Sequence, residues 1–450
     1  MTPEPELRVC YFGTYRATYS RNRIMIKGLR RNGVTLIECN EPLWRGIEDR
    51  VAAVEGGWRR PAFWWRVARA YGRLLIRFLR LRGKYDVMVV GYPGQFDIFL
   101  ARILTWLDRK PLVWDVFMSI YLIAWERKLD QSSPTAVALL QRWEQLACRL
   151  PEMLILDTEE YVAWFGKSHG ASSERFRLVP TGVESDKFRA VRESAGEDDT
   201  FTVLYYGTFI PNHGVLTMVE AARVLANDPS IYFEMVGDGP ELAAAQALAN
   251  RYGLTNIRFV GWLEQQELTQ RISTADLCLG AFGETPQSLM TVQNKIYECL
   301  AMGKPLVSGR GPAVERALRH AVDLFLCPRN DPVALAQSIL LLRSQPQLRA
   351  RLAEEGARHV EQAYSLTPIG ARFRRHLLEV QAQSVEPSMP ASRPQQENKC
   401  PPSHTKVPEE QVKTSCFFGC LRGWFVFWIR PRDRLHSICQ LPWAGMRHGD

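Results

Sequence analysis

The feature that most constrains this chain is a unit that recurs along it: a run of apolar residues, a glycine, then a stretch with helical spacing. LRVCYFG (7–13) leads into SRNRIMIKGLRRNG (20–33), a predicted helix with Ser20 as its cap and Gly33 as its stop. VTLIEC (34–39), YDVMVVG (85–91), PLVWDVF (111–117) and MLILDT (153–158) read as further strands. After a polar stretch, ESAGEDDT (193–200), the pattern restarts with FTVLYYG (201–207) and a helix around 214–226. IYFEMVGDG (231–239), a helix around 240–252, IRFVG (257–261) and DLCLGAF (276–282) follow. Apolar strands separated by helices predict parallel sheets covered on both faces. Two such runs, joined near 185–200, predict an α/β chain of two Rossmann-like domains with a cleft between them. Ligands of such sheets bind outside the carboxyl ends of the strands, where Gly13, Gly91, Gly207 and Gly237 lie.

The chain is long enough for two cores, with 450 residues of which 46% are hydrophobic. Its net charge of +9 suits nucleic acid, a membrane surface or an anionic substrate and does not choose among them. Cys10, Cys39, Cys148, Cys278, Cys299 and Cys327 are scattered singly among apolar residues, the pattern of buried thiols in a reducing compartment rather than of a metal site. The start, MTPEPELRVCYFG, lacks the features of a signal peptide, and no long apolar run supports a bilayer-spanning helix.

Four stretches carry chemistry. NKIYECLAMGKPLVSG (294–309) predicts a short helix capped by Asn294, stopped at Gly303 and followed by a strand. Glu298 shares a side of it with Asn294, with Lys295 three residues before, either as a solvated ion pair or as a holder of hydroxyl groups. YYGTFIPNHGV (205–215) offers backbone N–H groups at Gly207 and Gly214, with Thr208, Asn212 and His213 able to bond a diphosphate; a plain turn and helix start is the other reading. VGDGPEL (236–242) is a second glycine-rich strand end. Asp115, with Ser119 close by, sits in an apolar strand where a charge needs a partner or a role, so it either faces the cleft or packs as a structural carboxylate.

The segment 59–84 predicts an amphipathic helix. Arg66, Arg69, Arg73, Arg77 and Arg80 make one stripe, and Phe63, Val67, Leu74, Phe78 and Leu81 make an apolar one. With Trp58, Trp64 and Trp65 near its start, it fits an anionic membrane surface, or it is an ordinary surface helix on the sheet. No recognition module for nucleic acid accompanies the charge. The predicted divisions are 1–185 and 186–345 for the two Rossmann-like domains, 346–380 for C-terminal helices, 381–415 for a proline-rich disordered linker, and 416–450 for an apolar and basic tail. That tail either lies in a membrane interface or has no packing role.

Taken together, LYYGTFIPNHGV, FEMVGDGPEL, IRFVGW, ADLCLGAF and NKIYECLAMGKPLVSG, all between 203 and 309, resemble the family 4 glycosyltransferases of the GT-B fold. PTGVESDKF (180–188) is similar to the family's inter-domain link, and the resemblance covers about 7–380. It implies that Glu298 binds the ribose hydroxyls of a nucleotide sugar and that the diphosphate meets the 207–214 loop and the start of the 294–302 helix. The implied donor site is Gly13, Gly207, Thr208, His213, Gly214, Gly237, Asn294, Lys295 and Glu298, with Asp115 and Lys295 as catalytic candidates. The chain departs from the family where an E-x7-E pair would place a second glutamate, because Met290 stands there and Glu284 is out of register. Thr208 and His213 stand where many members carry Arg and Lys, and the family's catalytic histidine has no match. The sequence is similar to a subset with GTFIPxHG and NKxxE patterns. The resemblance implies a cytoplasmic retaining transferase at the inner face of the plasma membrane, with a lipid-linked or glycan acceptor and no metal or other cofactor. A noncatalytic sugar-nucleotide-binding or scaffold protein and a GT-B nucleotide-sugar epimerase are the alternatives.

Overall fold

The short apolar strands can satisfy both faces only when buried between helix layers, and the computed structural model shows two sheets built that way. It describes residues 6–43, 61–189 and 200–385. Trp58, the polar joint 190–199 and the stretch 386–450, which includes the aromatic tail, lie outside the described residues. The first sheet holds β1 (Arg8–Gly13), β2 (Thr35–Asn40), β3 (Val87–Val90), β4 (Leu112–Asp115), β5 (Met153–Leu156) and β6 (Phe176–Leu178), in the order β2-β1-β3-β4-β5-β6. The second holds β7 (Phe201–Tyr206), β8 (Ile231–Val236), β9 (Ile257–Val260), β10 (Leu277–Leu279), β11 (Leu306–Gly309) and β12 (Phe325–Cys327), in the order β12-β11-β10-β7-β8-β9. All paired strands are parallel.

Strand order reverses between β1 and β3 and between β7 and β10, so each sheet has a crevice at its central strand exits. Those exits carry Gly13 and Gly91 in one sheet and Gly207 and Gly280 in the other. The helix Pro346–Ala363 packs Leu352 and Val360 into the second sheet's cores. The last helix, Leu366–Val385, instead places Leu366, Ile369, Phe373 and Leu377 in the core of the first sheet, against Val9, Tyr11 and Ile24. It crosses the helix Ser20–Arg31 so closely that a Cβ on Gly28 would stand 2.9 Å from the Leu366 carbonyl.

Two predicted helix caps are corrected. The residue before each helix is Tyr19 in one case and Gln293 in the other, and neither helix has a side-chain cap. Ser20 and Asn294 bond each other instead, with Asn294 Nδ2 donating to Ser20 Oγ over 2.6 Å. A cross-sheet partner has displaced the local backbone one. The basic helix forms as Pro61–Leu79 and buries Leu74 and Phe78 as its spacing predicts. Its arginine stripe is partly consumed, since Arg73 and Arg77 both pair with Glu41, at 3.0 and 3.1 Å. Cys10, Cys39, Cys148, Cys278, Cys299 and Cys327 are buried free thiols. Among the described residues, no helix is long and apolar enough to cross a membrane, and no three His, Cys, Asp or Glu side chains cluster as a metal site would require.

Candidate active site

The two sheets carry nearly the same exit sequence, CYFGTY (10–15) after β1 and LYYGTF (204–209) after β7. Gly13 and Gly207 both adopt φ 139°, a backbone state open to glycine. What faces each glycine differs. At the first, the Asp97 carboxylate accepts from the Thr14 N–H over 2.7 Å and from the Thr14 hydroxyl. Tyr71 donates to the same carboxylate over 2.7 Å. Burial pushes Asp97 up to about 6, against the pull of these donors. The chain therefore supplies its own anion at Gly13, and this exit is already filled.

At the second exit the neighbour is a cation. A Cβ on Gly207 would lie 2.6 Å from Lys295 Nζ, so the ammonium rests against the bare glycine. Lys295 is 5% exposed, stacks its ammonium 4.1 Å from the centre of the Tyr205 ring, lies 3.3 Å from His213 Nδ1, and has no carboxylate ion pair among the described residues. Burial pulls it down to about 7. The Thr208 N–H, the counterpart of the group that Asp97 caps, makes no hydrogen bond among the described residues. A buried, unpaired cation beside an open N–H is a place for an anion. Gly237 underlies the turn, because any side chain there would strike the Gly207 carbonyl. Gly214, with φ 66°, ends the Pro211–His213 turn and lets the chain enter the helix Val215–Val224.

His213 does not add positive charge. Burial, then the Lys295 ammonium, hold it well below its ordinary range. Its Nδ1 lies 2.6 Å from the Thr208 carbonyl, 2.9 Å from the Tyr205 hydroxyl and 3.3 Å from Lys295 Nζ. It braces the loop, together with the Tyr205 hydroxyl, which donates to the same carbonyl over 3.1 Å. One turn beyond Lys295, Glu298 is half-buried and accepts from the Tyr206 hydroxyl over 2.8 Å through Oε2. Burial raises its carboxyl, opposed by Tyr206 and Lys295. Its Oε1 carries no hydrogen bond among the described residues. Glu298, Lys295 and the 207–208 turn thus come together, as the family resemblance implies.

Asp115 does not join them. Both its oxygens are held by Arg21, at 2.8 Å for the shortest contact, and neither side chain has exposed surface. Arg21 also donates to the carbonyls of Val179 and Pro180. Of the two readings of Asp115, the structural carboxylate is the one observed, and a substrate cannot reach it. Ser119 is structural too, capping the helix Ile120–Glu126 and donating to the buried Glu144.

Beyond the exits of β1, β3 and β4, Tyr19, Tyr92 and Phe117 cluster with ring centres 5.1 to 6.2 Å apart, Tyr92 and Phe117 buried and Tyr19 half-buried. Glu126 reaches across, accepting from the Gln287 N–H over 2.8 Å and from Asn212 Nδ2 over 3.2 Å. Met290, at the position of the missing glutamate, is 8% exposed and packs into the first sheet's core. Sequence reasoning missed Asp97, Tyr206 and Glu126. The repeated FGT/YGT exit was the available signal for the first two, since it marks where to look for what each turn binds.

Residues 200–345 match the family described as glycosyl transferases group 1. The chain is 29% identical over 168 residues to the lipopolysaccharide core biosynthesis glycosyltransferase LpsD of Rhizobium meliloti, covering 37% of this chain and 46% of that protein. It is 28% identical over 292 residues to the alpha-D-kanosaminyltransferase of Streptomyces kanamyceticus, covering 62% of this chain and 72% of that one. The chain thus spans about half the length of the first of these relatives. Among solved structures, Anabaena HepE in complex with UDP-glucose superposes with a TM-score of 0.58 at 16% identity, over 83% of this chain and 99% of that one. At that identity the likeness speaks for the fold, which is GT-B.

Proposed function

We propose that this chain, which belongs to the group 1 glycosyl transferases, moves a sugar from a nucleotide-sugar donor to a lipid-linked or glycan acceptor at a cytoplasmic membrane surface, with retention at the anomeric carbon. The observation that carries the reading is the contrast between the two matched strand exits. One is filled by Asp97, and the other is held open beside an unpaired buried cation. In this reading the diphosphate occupies the open exit, bonded by the Thr208 N–H and by Lys295, with the N-terminus of the helix Asn294–Ala301 behind it. Glu298 Oε1 accepts the ribose hydroxyls while Tyr206 fixes the other oxygen.

The chemistry asked of the protein is chiefly electrostatic. As the glycosidic C–O bond breaks, negative charge grows on the departing diphosphate, and Lys295 and the backbone N–H stabilise it without the need of a metal. Lys295 is the catalytic residue of this account, and Asp115 is not. Tyr19, half-buried and packed on the buried rings of Tyr92 and Phe117, is the aromatic surface on which the acceptor would lie. Contacts such as Glu126 to Gln287 would exclude water from the reacting centre.

A second reading is a sugar-nucleotide-binding protein without turnover, favoured by the sealing of Asp115 against Arg21 and by the burial of Met290. An epimerase would change the donor with no acceptor present. Labelled UDP-, GDP- and ADP-sugars, each with and without extracted membrane lipids, separate the three. Transfer of label to lipid or glycan, lost in Lys295→Met, supports the transferase. A changed donor sugar without lipid indicates the epimerase, and binding with unchanged donor in all conditions indicates the silent binder.

A further inference from the structure

We propose that the helices Pro61–Leu79 and Asp97–Asp108 together form a docking face for an anionic phospholipid bilayer, with a groove at the end of the second helix seating a lipid phosphate. The proposal builds on the membrane-side acceptor reading, and takes it from one arginine stripe to a second helix and to apolar side chains that enter the interface.

The helices are neighbours on one face of the first sheet. Leu74 and Phe78 of one share a core cluster with Ile98, Ala101 and Leu104 of the other. They run side by side, because Tyr71 donates to Asp97 over 2.7 Å and Arg82, just beyond the first helix, bonds Asp108 over 2.8 Å. Their outer edges carry exposed arginines, and beside these stand large apolar side chains. Trp65 is 72% exposed, Ile76 54% and Leu79 55%, beside Ile103 at 57%, Trp106 at 69% and Leu107 at 55%. One such residue on a surface is ordinary, but two adjacent apolar edges make a patch.

Charge selects the occupant. The acids on this face are already neutralised, Glu41 by Arg73 and Arg77, and Asp108 by Arg82 and the Tyr85 hydroxyl. Arg69, Arg80 and Arg109 are exposed and have no ion pair among the described residues. Tryptophans at an apolar edge with uncompensated cations around it suit an anionic lipid interface. At the rim a groove of about 500 Å³ is lined by Arg102, Thr105, Trp106, Arg109 and Lys110. Glu152 in its wall is held by Arg102 at 2.6 Å and Lys110 lies 3.9 Å from Asp86, so Arg109 is the cation left to meet a headgroup phosphate while Trp106 and Leu107 meet the acyl chains.

The test is hydroxyl-radical footprinting of the full chain with vesicles of equal parts phosphatidylcholine and phosphatidylglycerol, and with phosphatidylcholine alone. It reads each tryptophan directly, so binding through any other segment does not mask the result. The expected result is several-fold protection of Trp65 and Trp106 on the anionic vesicles, with Trp262, 63% exposed on the other sheet's side, unchanged. Trp106→Ser with Leu107→Ser should weaken vesicle binding about tenfold. Stabilisation by the nucleotide sugar should stay as in wild type in that variant. Trp106 equally reactive with and without vesicles overturns the proposal. Protection that appears without lipid and grows with protein concentration also overturns it, in favour of a second copy of the chain. Absence of donor stabilisation in wild type would instead count against the transferase reading, independently of the vesicle result.

Discussion

In the proposed transferase Lys295 is the residue on which the chemistry turns, and its environment sets a pH signature. Burial holds the ammonium near 7, so at neutral pH about half of the empty sites carry the charge. A bound diphosphate keeps the proton in place. Donor affinity should therefore fall as pH rises above 7, by at most about tenfold per pH unit, and Lys295→Met should flatten the profile and weaken binding at pH 6. Titration calorimetry across pH measures this, and the diphosphate diester of a nucleotide sugar does not itself ionise there. Stability should run the other way. Between about 7 and the ordinary 10.5, the empty folded protein holds fewer protons than the unfolded chain, so this group makes folding more favourable as pH rises through that window. Arg21 and Asp115 give a second prediction. Arg21→Met leaves a buried carboxylate unpaired and should cost about 3–5 kcal/mol in urea unfolding, whereas adding Asp115→Leu should recover most of it. The sequence shows that a charge in PLVWDVF needs a partner. It does not show that the partner stands 94 residues earlier, because a single sequence records no distant pairing.

At the scale of elements, local rules placed the strands and helices because apolar runs, glycine exits and prolines act through the backbone nearby. FTVLYYG is predicted over 201–207 and forms Phe201–Tyr206, and the helix predicted near 240–252 forms Leu242–Arg251. The same rules misassigned Ser20 and Asn294, whose side chains bond each other rather than their own helix ends. The short edge strand Phe325–Cys327 and the Pro286–Met290 turn of helix carry too few residues for a period to show, and neither is evident in the sequence. Glycine placement supplies a prediction here. Gly237 has φ 132° and no space for a Cβ beside Gly207, whereas Gly261 has nothing within 4 Å. Gly237→Ala should lower the melting temperature by several degrees and abolish donor stabilisation, while Gly261→Ala should leave both within error. Thermal denaturation with and without donor checks the pair.

At the scale of the whole molecule, what matters is how residues distant in sequence are brought to one cleft. Glu126 to Gln287, Thr158 to the Met290 carbonyl, Asn294 to Ser20 and Arg316 to Glu160 all join residues of the first sheet's layers to those of the second. The return of the last helix to the first sheet adds to these ties. The reversal of strand order that creates the two crevices follows from topology, which periodicity does not encode. Family resemblance is what points to Glu298 as the proposed ribose ligand, and the Tyr206 hydroxyl fixes one carboxylate oxygen while the other makes no hydrogen bond among the described residues. The central claim is that this corner holds a nucleotide sugar, so the most direct measurement is the melting temperature of wild type and Glu298→Ala against a panel of UDP-, GDP- and ADP-sugars. A ligand that binds only the folded state stabilises it by mass action. The account predicts a rise with one base that Glu298→Ala loses while its own unliganded melting temperature stays close to wild type. No rise with any donor in a well-folded sample, or a rise that Glu298→Ala fully retains, would contradict it.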